Sequence, residues 1–428
     1  MNKRKRVVIT GLGLATPLGL GLEENWQKAL AGESGIRRIT YPWAERSLIQ
    51  AAGEVKESDY KKIQEEFPEE ADSEGERRTL LALWAAKSAL NDAGLLNNDV
   101  SVKDCGIIFA AGLGINRLED IQRWTGTDGK FDYEKFGKEC GMLHRESAMR
   151  NNSNKPSSLI AKRFGLHGQN STITSACSAA TQAVGIGYRM IRRGESDILI
   201  AGGADSMINP LGVITFLLLK AAAVSSEPPE EICRPFDRKR AGLVMGEGAG
   251  IAVLEEEGHA VKRGARIYAE LAGYGTSMDA YQVTAPHPEG RGAEHSMRSA
   301  LSDADLNPDE VDYINAHGTG TKLNDAAETL AIKKVFKDRA YNIPVSSSKS
   351  MIGHLIAAAG GPEFIYTALS VNRDEIHPTI NLTNPDPRCD LDYAPNTKRM
   401  KTVRAALSNS FGFGGQNATV VVKKYGII

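Results

Sequence analysis

The chain has little of what would tie it to a membrane, a metal or a disulfide framework. It contains no run of ~18 apolar residues, so no transmembrane helix is expected. Its 5 cysteines are odd in number, and no two fall in a C-x-x-C spacing. Cys105, Cys140, Cys177, Cys233 and Cys389 therefore read as free thiols of a reducing cytoplasm, not as disulfide or zinc partners. The 8 histidines show no H-E-x-x-H pattern, so no metal is called for. Charge of one sign is missing too. The net charge is -1, and no global field gathers nucleic acid or a membrane surface. A charged partner must meet a local patch.

The basic start, Met1 to Arg6, precedes the apolar stretch Val7 to Leu14 and has the outline of an export signal. Glycines and Pro17 interrupt that stretch, and no clean small-x-small cleavage site follows. It reads better as the first strand of the folded protein.

What is present is a soluble globular composition, 41% hydrophobic and 25% charged, in a chain of 428 residues. That length calls for more than one structural unit. Short apolar runs recur at Val7–Ile9, Gly106–Phe109, Ile198–Ile200, Gly250–Leu254, Tyr268–Leu271 and Val311–Ile314. Apolar on both faces, they read as buried central strands. Helical periodicity lies between them, over Arg77–Ala93, Ser178–Arg193 and Asp325–Phe336. Gly94 and Gly194 serve as stops, and Asp325-x-x-Glu328 suits a capping box. Strands alternating with helices make an α/β protein. Val7 to Gly13 is echoed by Ala269 to Gly275, which suggests a doubled chain with a seam near 255–266. The expected halves are 1–258 and 259–428. Residues 57–76 are acidic and poorly periodic and read as a solvated excursion. Residues 116–157 are polar and read as an insertion capping the strands.

Cys177 lies in Thr174-Ser175-Ala176-Cys177-Ser178-Ala179-Ala180, where a helix begins. A helix N-terminus favours the thiolate, and small neighbours let a substrate approach the sulfur. His317 stands in Ala316-His317-Gly318-Thr319-Gly320-Thr321 and His354 in Lys349-Ser350-Met351-Ile352-Gly353-His354. Histidines in glycine-rich turns after strands sit where α/β sites form. Two of them beside a thiolate can hydrogen-bond a carbonyl as it gains negative charge. Lys349 is spaced to pair with Glu363. Phe411-Gly412-Phe413-Gly414-Gly415 permits close backbone approach but lacks the Lys-Ser/Thr of a phosphate loop. Gly11-x-Gly13-x-x-Thr16 lacks the third glycine of a dinucleotide fingerprint.

With these stretches in view, the chain closely resembles the β-ketoacyl-[acyl-carrier-protein] synthases, and most of all their elongating synthase II branch. The likeness runs from Val7 to Lys424 with the motifs in order. It includes Ala201-Gly202-Gly203-Ala204-Asp205, Arg234-Pro235-Phe236-Asp237 and Gly246-Glu247-Gly248-Ala249-Gly250. The resemblance implies a thiolase-like fold, two similar α/β halves in a five-layer αβαβα sandwich. It implies a 3-oxoacyl-[acyl-carrier-protein] synthase, an acyltransferase working in two half-reactions. Cys177 would take the acyl chain. His317 and His354 would stabilise the enolate of malonyl-carrier protein after decarboxylation, and the backbone N–H groups of Cys177 and Phe413 would form the oxyanion hole. Phe413 would also gate the second substrate, with Lys349 and Glu363 supporting the site. Phe216, Leu113 and Ile115 would line the acyl pocket, and Thr319 and Thr321 would meet the phosphopantetheine arm. Arg77, Arg78 and Lys220 would dock the acyl carrier protein. No free cofactor is implied, because the substrates ride on the carrier's phosphopantetheine.

Three features depart from the housekeeping pattern: the acidic stretch 57–76, the long segment 116–157, and Gly361-Pro362 before Glu363. They keep open a second reading, the ketosynthase of a type II polyketide or polyene pathway paired with a chain-length factor in a heterodimer. Fatty-acid synthesis by a cytoplasmic homodimer is the first. A chain-length factor or a loading decarboxylase would lack Cys177. A degradative thiolase would carry a C-terminal Cys-x-Gly, which Cys389 does not supply. The initiating synthase III branch pairs one histidine with an asparagine.

Overall fold

In the computed structural model, residues 4–426 are described except 75, 97–101, 115–121 and 144. Ten strands form the path of one large sheet. They are β1 (Val7–Thr16), β2 (Gly106–Ala111), β3 (Asn170–Ile173), β4 (Ile198–Ser206), β5 (Glu247–Glu256), β6 (Ala269–Met278), β7 (Tyr313–Asn315), β8 (Val345–Ser346), β9 (Ala405–Phe411) and β10 (Gln416–Lys423). Six helices matter for the site: α1 (Arg77–Asp92), α2 (Lys155–Phe164), α3 (Ala179–Arg193), α4 (Arg291–Asp303), α5 (Lys322–Phe336) and α6 (Gly360–Arg373).

The strand order along the sheet is β8-β7-β9-β10-β6-β1-β5-β4-β2-β3. Read outward from the middle, both halves have the same order and the same directions. β1 pairs antiparallel with β5, β5 antiparallel with β4, and β4 and β2 parallel with their outer neighbours. In the second half β6, β10, β9, β7 and β8 repeat this sequence of pairings. The halves join through three residue pairs, Val7↔Leu271, Val8↔Glu270 and Ile9↔Ala269.

The helices complete a five-layer α/β sandwich. α1 lies on β1 and β5, and α4 on β6 and β10; α2 and α5 flank them. α3 and α6 pack on each other and on strands of both halves. Small residues let that middle layer form. A Cβ on Gly185 of α3 would fall 2.2 Å from the Tyr274 ring, and one on Gly361 would fall 2.5 Å from the Gly250 carbonyl oxygen. Pro362 is tolerated because it lies in the first turn of α6, where a helix N–H has no intrahelical partner.

Two expectations need correction. Residues 57–76 are not a loose excursion. They contain helices Glu57–Glu66 and Pro68–Glu74, with Tyr60, Ile63 and Phe67 buried in the cluster that holds Leu81 and Leu83 of α1. The apolar residues are few but share one face; most of the acidic ones lie outside it, while Asp59 and Glu76 are buried. The helix expected from Asp325 starts at Lys322. Thr321 caps it by accepting from the Asn324 N–H at 3.3 Å. Asp325 and Glu328 reach backwards to the preceding loops instead of forming a capping box.

Candidate active site

Cys177 belongs to a tight turn, Ala176–Ser178, that runs into α3. Ala176 is held at φ 48°, a left-handed conformation unusual for alanine. The sulfur lines a cavity beside His317 and His354. No side chain caps α3; the Ser178 N–H donates to the Ser175 carbonyl and the Ala179 N–H to the Ala176 carbonyl within the turn. Burial pushes the Cys177 thiol up to about 11, against the pull of the Phe413 and Cys177 N–H groups and the Lys349 charge. The helix terminus alone suggested a lowered value. In the buried site desolvation outweighs it, and the N–H groups become effective only where charge develops.

His317 follows β7. Its backbone N–H and that of Gly318 donate to the two oxygens of Glu328, at 2.9 and 2.8 Å. Glu328 is the important residue that reasoning from the motifs missed. Its position one helical turn after Asp325 invited a capping role. His354 follows Gly353, whose φ of 74° turns the chain. The His354 N–H donates to the Val244 carbonyl at 2.7 Å, and its own carbonyl accepts from the Gly246 N–H at 2.8 Å.

Neighbours set the tautomers of both rings. Ile356 N–H donates to His354 Nδ1 at 3.0 Å. Lys349 Nζ approaches His317 Nδ1 at 3.3 Å and also pairs with Glu363, all three buried. Each Nδ1 therefore accepts, and each Nε2 carries the proton. Burial, and then the Lys349 charge, hold both imidazoles well below their usual pKa, so they are neutral N–H donors. Burial raises Glu363 to about 7 against the Lys349 charge. Cys177, His317 and His354 offer Sγ and ring nitrogens within 4.8 Å of one another, a spacing that would suit a metal ion. The tautomers oppose it, because a ligating nitrogen must be bare and these carry hydrogens.

A cavity of about 540 Å³ reaches from this cluster to the surface. Its lining includes Phe413, Thr319, Thr321 and Lys220. Thr319 and Thr321 also bond to each other at 2.9 Å, so they stabilise the turn while facing the cavity. Phe413 is half-buried against an apolar cluster that contains Phe216 and Ile356. Leu113 is 69% exposed and lies outside that cluster. Ile115 lies outside the described residues.

The docking assignment of Arg77 and Arg78 is overturned. Arg78 is 0% exposed, pairs with Glu76 at 2.6 Å and donates to the Gly112 carbonyl. Arg77 is turned inward onto buried Glu247 at 2.7 Å. The adjacent basic pair looked like surface, but α1 lies flat on the sheet and draws both residues inward. Lys220 alone of the three is exposed.

Comparison with known proteins agrees over the full length. Residues 4–260 match the family "Beta-ketoacyl synthase, N-terminal domain" and residues 268–383 its C-terminal domain. A Synechocystis protein named 3-oxoacyl-[acyl-carrier-protein] synthase 2 is 42% identical over 99% of both chains. A Staphylococcus aureus protein of the same name is 38% identical, over 99% of this chain and all of its own. Among solved structures, a type II PKS ketosynthase in complex with its acyl-carrier protein and bound to the hexaketide superposes with a TM-score of 0.86. It is 33% identical over 98% of this chain and 100% of that one. The ishigamide ketosynthase/chain length factor also gives 0.86, at 35% identity over 99% and 100%.

Proposed function

The chain belongs to the beta-ketoacyl synthase family and is a condensing acyltransferase, and on that premise we propose how its residues divide the work. Cys177 Sγ attacks the carbonyl of an acyl thioester on the carrier's phosphopantetheine. The oxyanion lies between the Cys177 and Phe413 N–H groups. The carbon–sulfur bond to the arm breaks, and the departing thiol takes the proton that Cys177 gives up. Malonyl-carrier protein then occupies the same cavity. Its carboxylate leaves as carbon dioxide, and the electron pair is held as an enolate by the Nε2–H groups of His317 and His354. The enolate carbon attacks the acyl-cysteine carbonyl, the oxyanion forms again, and Cys177 leaves. The carrier departs with a 3-oxoacyl chain two carbons longer. No free cofactor enters.

The observation that carries this reading is the meeting of one buried thiol with two neutral imidazoles whose protons are fixed on Nε2. The first needs only a nucleophile and a hole; the second needs donors that stay donors. Lys349 and Glu363 keep the His317 ring in place. Phe216 and the cluster under Phe413 take the acyl tail, and the threonine turn takes the arm. Lys220 at the mouth meets the acidic carrier. Halves at 1–258 and 259–428 follow the repeated strand order, and a second copy joins along the free edge of β3. Five free thiols suit a cytoplasmic setting, and among the described residues no helix is long and apolar enough to cross a membrane. Elongation in fatty-acid synthesis is the first reading, favoured by the full-length relatives. The type II polyketide alternative, with a chain-length factor as partner, draws on the two structural neighbours.

The test is incubation of the protein with carriers bearing acyl chains of graded length, followed by malonyl-carrier protein, reading intact masses. Protein-bound acyl followed by a carrier-bound 3-oxoacyl product is expected. No acylation with any chain would move the heterodimer reading to first place.

A further inference from the structure

The C-terminal half repeats the turn that carries Cys177. The short turn Ile356–Ala358 precedes α6 as Ala176–Ser178 precedes α3. Ile356 has φ 48°, the value found at Ala176. Ala357 thus stands where Cys177 stands in the first half. No nucleophile is present, yet its N–H is in use. It donates to Asp205 Oδ2 at 3.0 Å, and the Ser206 N–H donates to Asp205 Oδ1 at 2.9 Å. Asp205 lies near the end of β4, and the Phe413 loop follows β9, the matching strand of the repeat. A buried carboxylate therefore sits at the second turn in the place that a transient oxyanion is proposed to take at the first. The space is closed, because a Cβ on Gly112 would fall 2.5 Å from Asp205 Oδ2. The charged groups facing Asp205 are Arg78 and Glu76.

We propose that Asp205 is a positioning residue for His354: a buried internal carboxylate that anchors the second turn at Ala357 and so keeps the Ile356 N–H on His354 Nδ1. The proposal rests on the condensing reading above. A left-handed φ is unfavourable for a β-branched residue and persists only where its surroundings hold it. The φ of Ile356 links the peptide plane that serves His354 to the residue whose carbonyl plane carries the Ala357 N–H. Releasing Ala357 lets that torsion relax and turns the Ile356 N–H away. His354 is then free to carry its proton on Nδ1, leaving Nε2 unable to donate to an enolate.

The test uses the full-length protein with Asp205→Asn and His354→Ala, singly and together. Cys177 acylation and malonyl-carrier decarboxylation are measured as separate half-reactions. Asp205→Asn is expected to slow decarboxylation about tenfold while leaving acylation within about twofold, and to add nothing in the His354→Ala background. Equal slowing of both half-reactions, no slowing, or the same loss without His354 would each overturn the proposal. Nitrogen-15 NMR of histidine-labelled wild type gives a readout independent of the variant's folding. His354 should carry its proton on Nε2, and a proton on Nδ1 would overturn the idea by itself. Failure of the condensing reading looks different: the wild type would then neither acylate nor decarboxylate.

Discussion

In the N-terminal half, the turn before α3 holds Ala176 at φ 48° with Cys177 next. In the C-terminal half, the turn before α6 holds Ile356 at φ 48° with Ala357 next. The strand order and directions around the two turns are the same. What differs is the group opposite each N–H. At Cys177 it is open cavity bounded by the Phe413 loop; at Ala357 it is the Asp205 carboxylate. Chain path and backbone strain therefore do not make a nucleophilic site. A sulfur that lines a cavity, with no carboxylate opposite its N–H, does. The second turn has exchanged reactivity for support: it presents His354 to the first.

The comparison can be broken most sharply by moving the nucleophile. Cys177→Ala should abolish condensation, a loss of about 10³-fold or more. Adding Ala357→Cys to that variant should restore nothing, because Asp205 fills the hole the new thiol would need. Acylation at position 357 in the double variant, seen by peptide mass mapping, would show the two turns to be equivalent.

A smaller effect concerns protonation. With its thiol raised to about 11 by burial, Cys177 should react with iodoacetamide about tenfold faster per pH unit from pH 7 upward. The thiolate is the reactive form and its fraction grows until the pH reaches the pKa. A rate that levels off below pH 8 would contradict a burial-dominated thiol and restore the helix terminus as the main influence.

The smallest effect tests the strain itself. Ala176→Gly should leave stability unchanged or raise it by up to about 1 kcal/mol, since the relief of a left-handed residue is partly offset by chain entropy. Ile356→Gly relieves the same torsion but removes a buried side chain, and should destabilise by about 2–4 kcal/mol. Denaturation midpoints moving in the same direction for both would mean that the turns are not held in the way described.

Much of this was legible in the sequence. The strands beginning at Val7, Gly106 and Ile198 announce themselves because both faces are buried and their leading residues are apolar. Cys177, His317 and His354 were legible because glycine and small residues surround them. β3 and β8 were not, being short and, in β3, partly exposed. The inward turn of Arg77 and Arg78 was not legible either, because Glu247, the partner of Arg77, lies 170 residues away and the Gly112 carbonyl that Arg78 reaches lies 34 away. Glu328 and Asp205 owe their importance to backbone N–H groups brought near by tertiary folding, and Ile356 to its left-handed φ, which residue types along the chain do not reveal.

The most direct test of the account is to locate the acyl group after incubation with acyl-carrier protein and then to add malonyl-carrier protein. The account predicts a thioester on Cys177 alone, which disappears as a 3-oxoacyl chain appears on the carrier. An adduct on Cys105, Cys140, Cys233 or Cys389, or a Cys177 adduct that malonyl-carrier protein does not discharge, would contradict it.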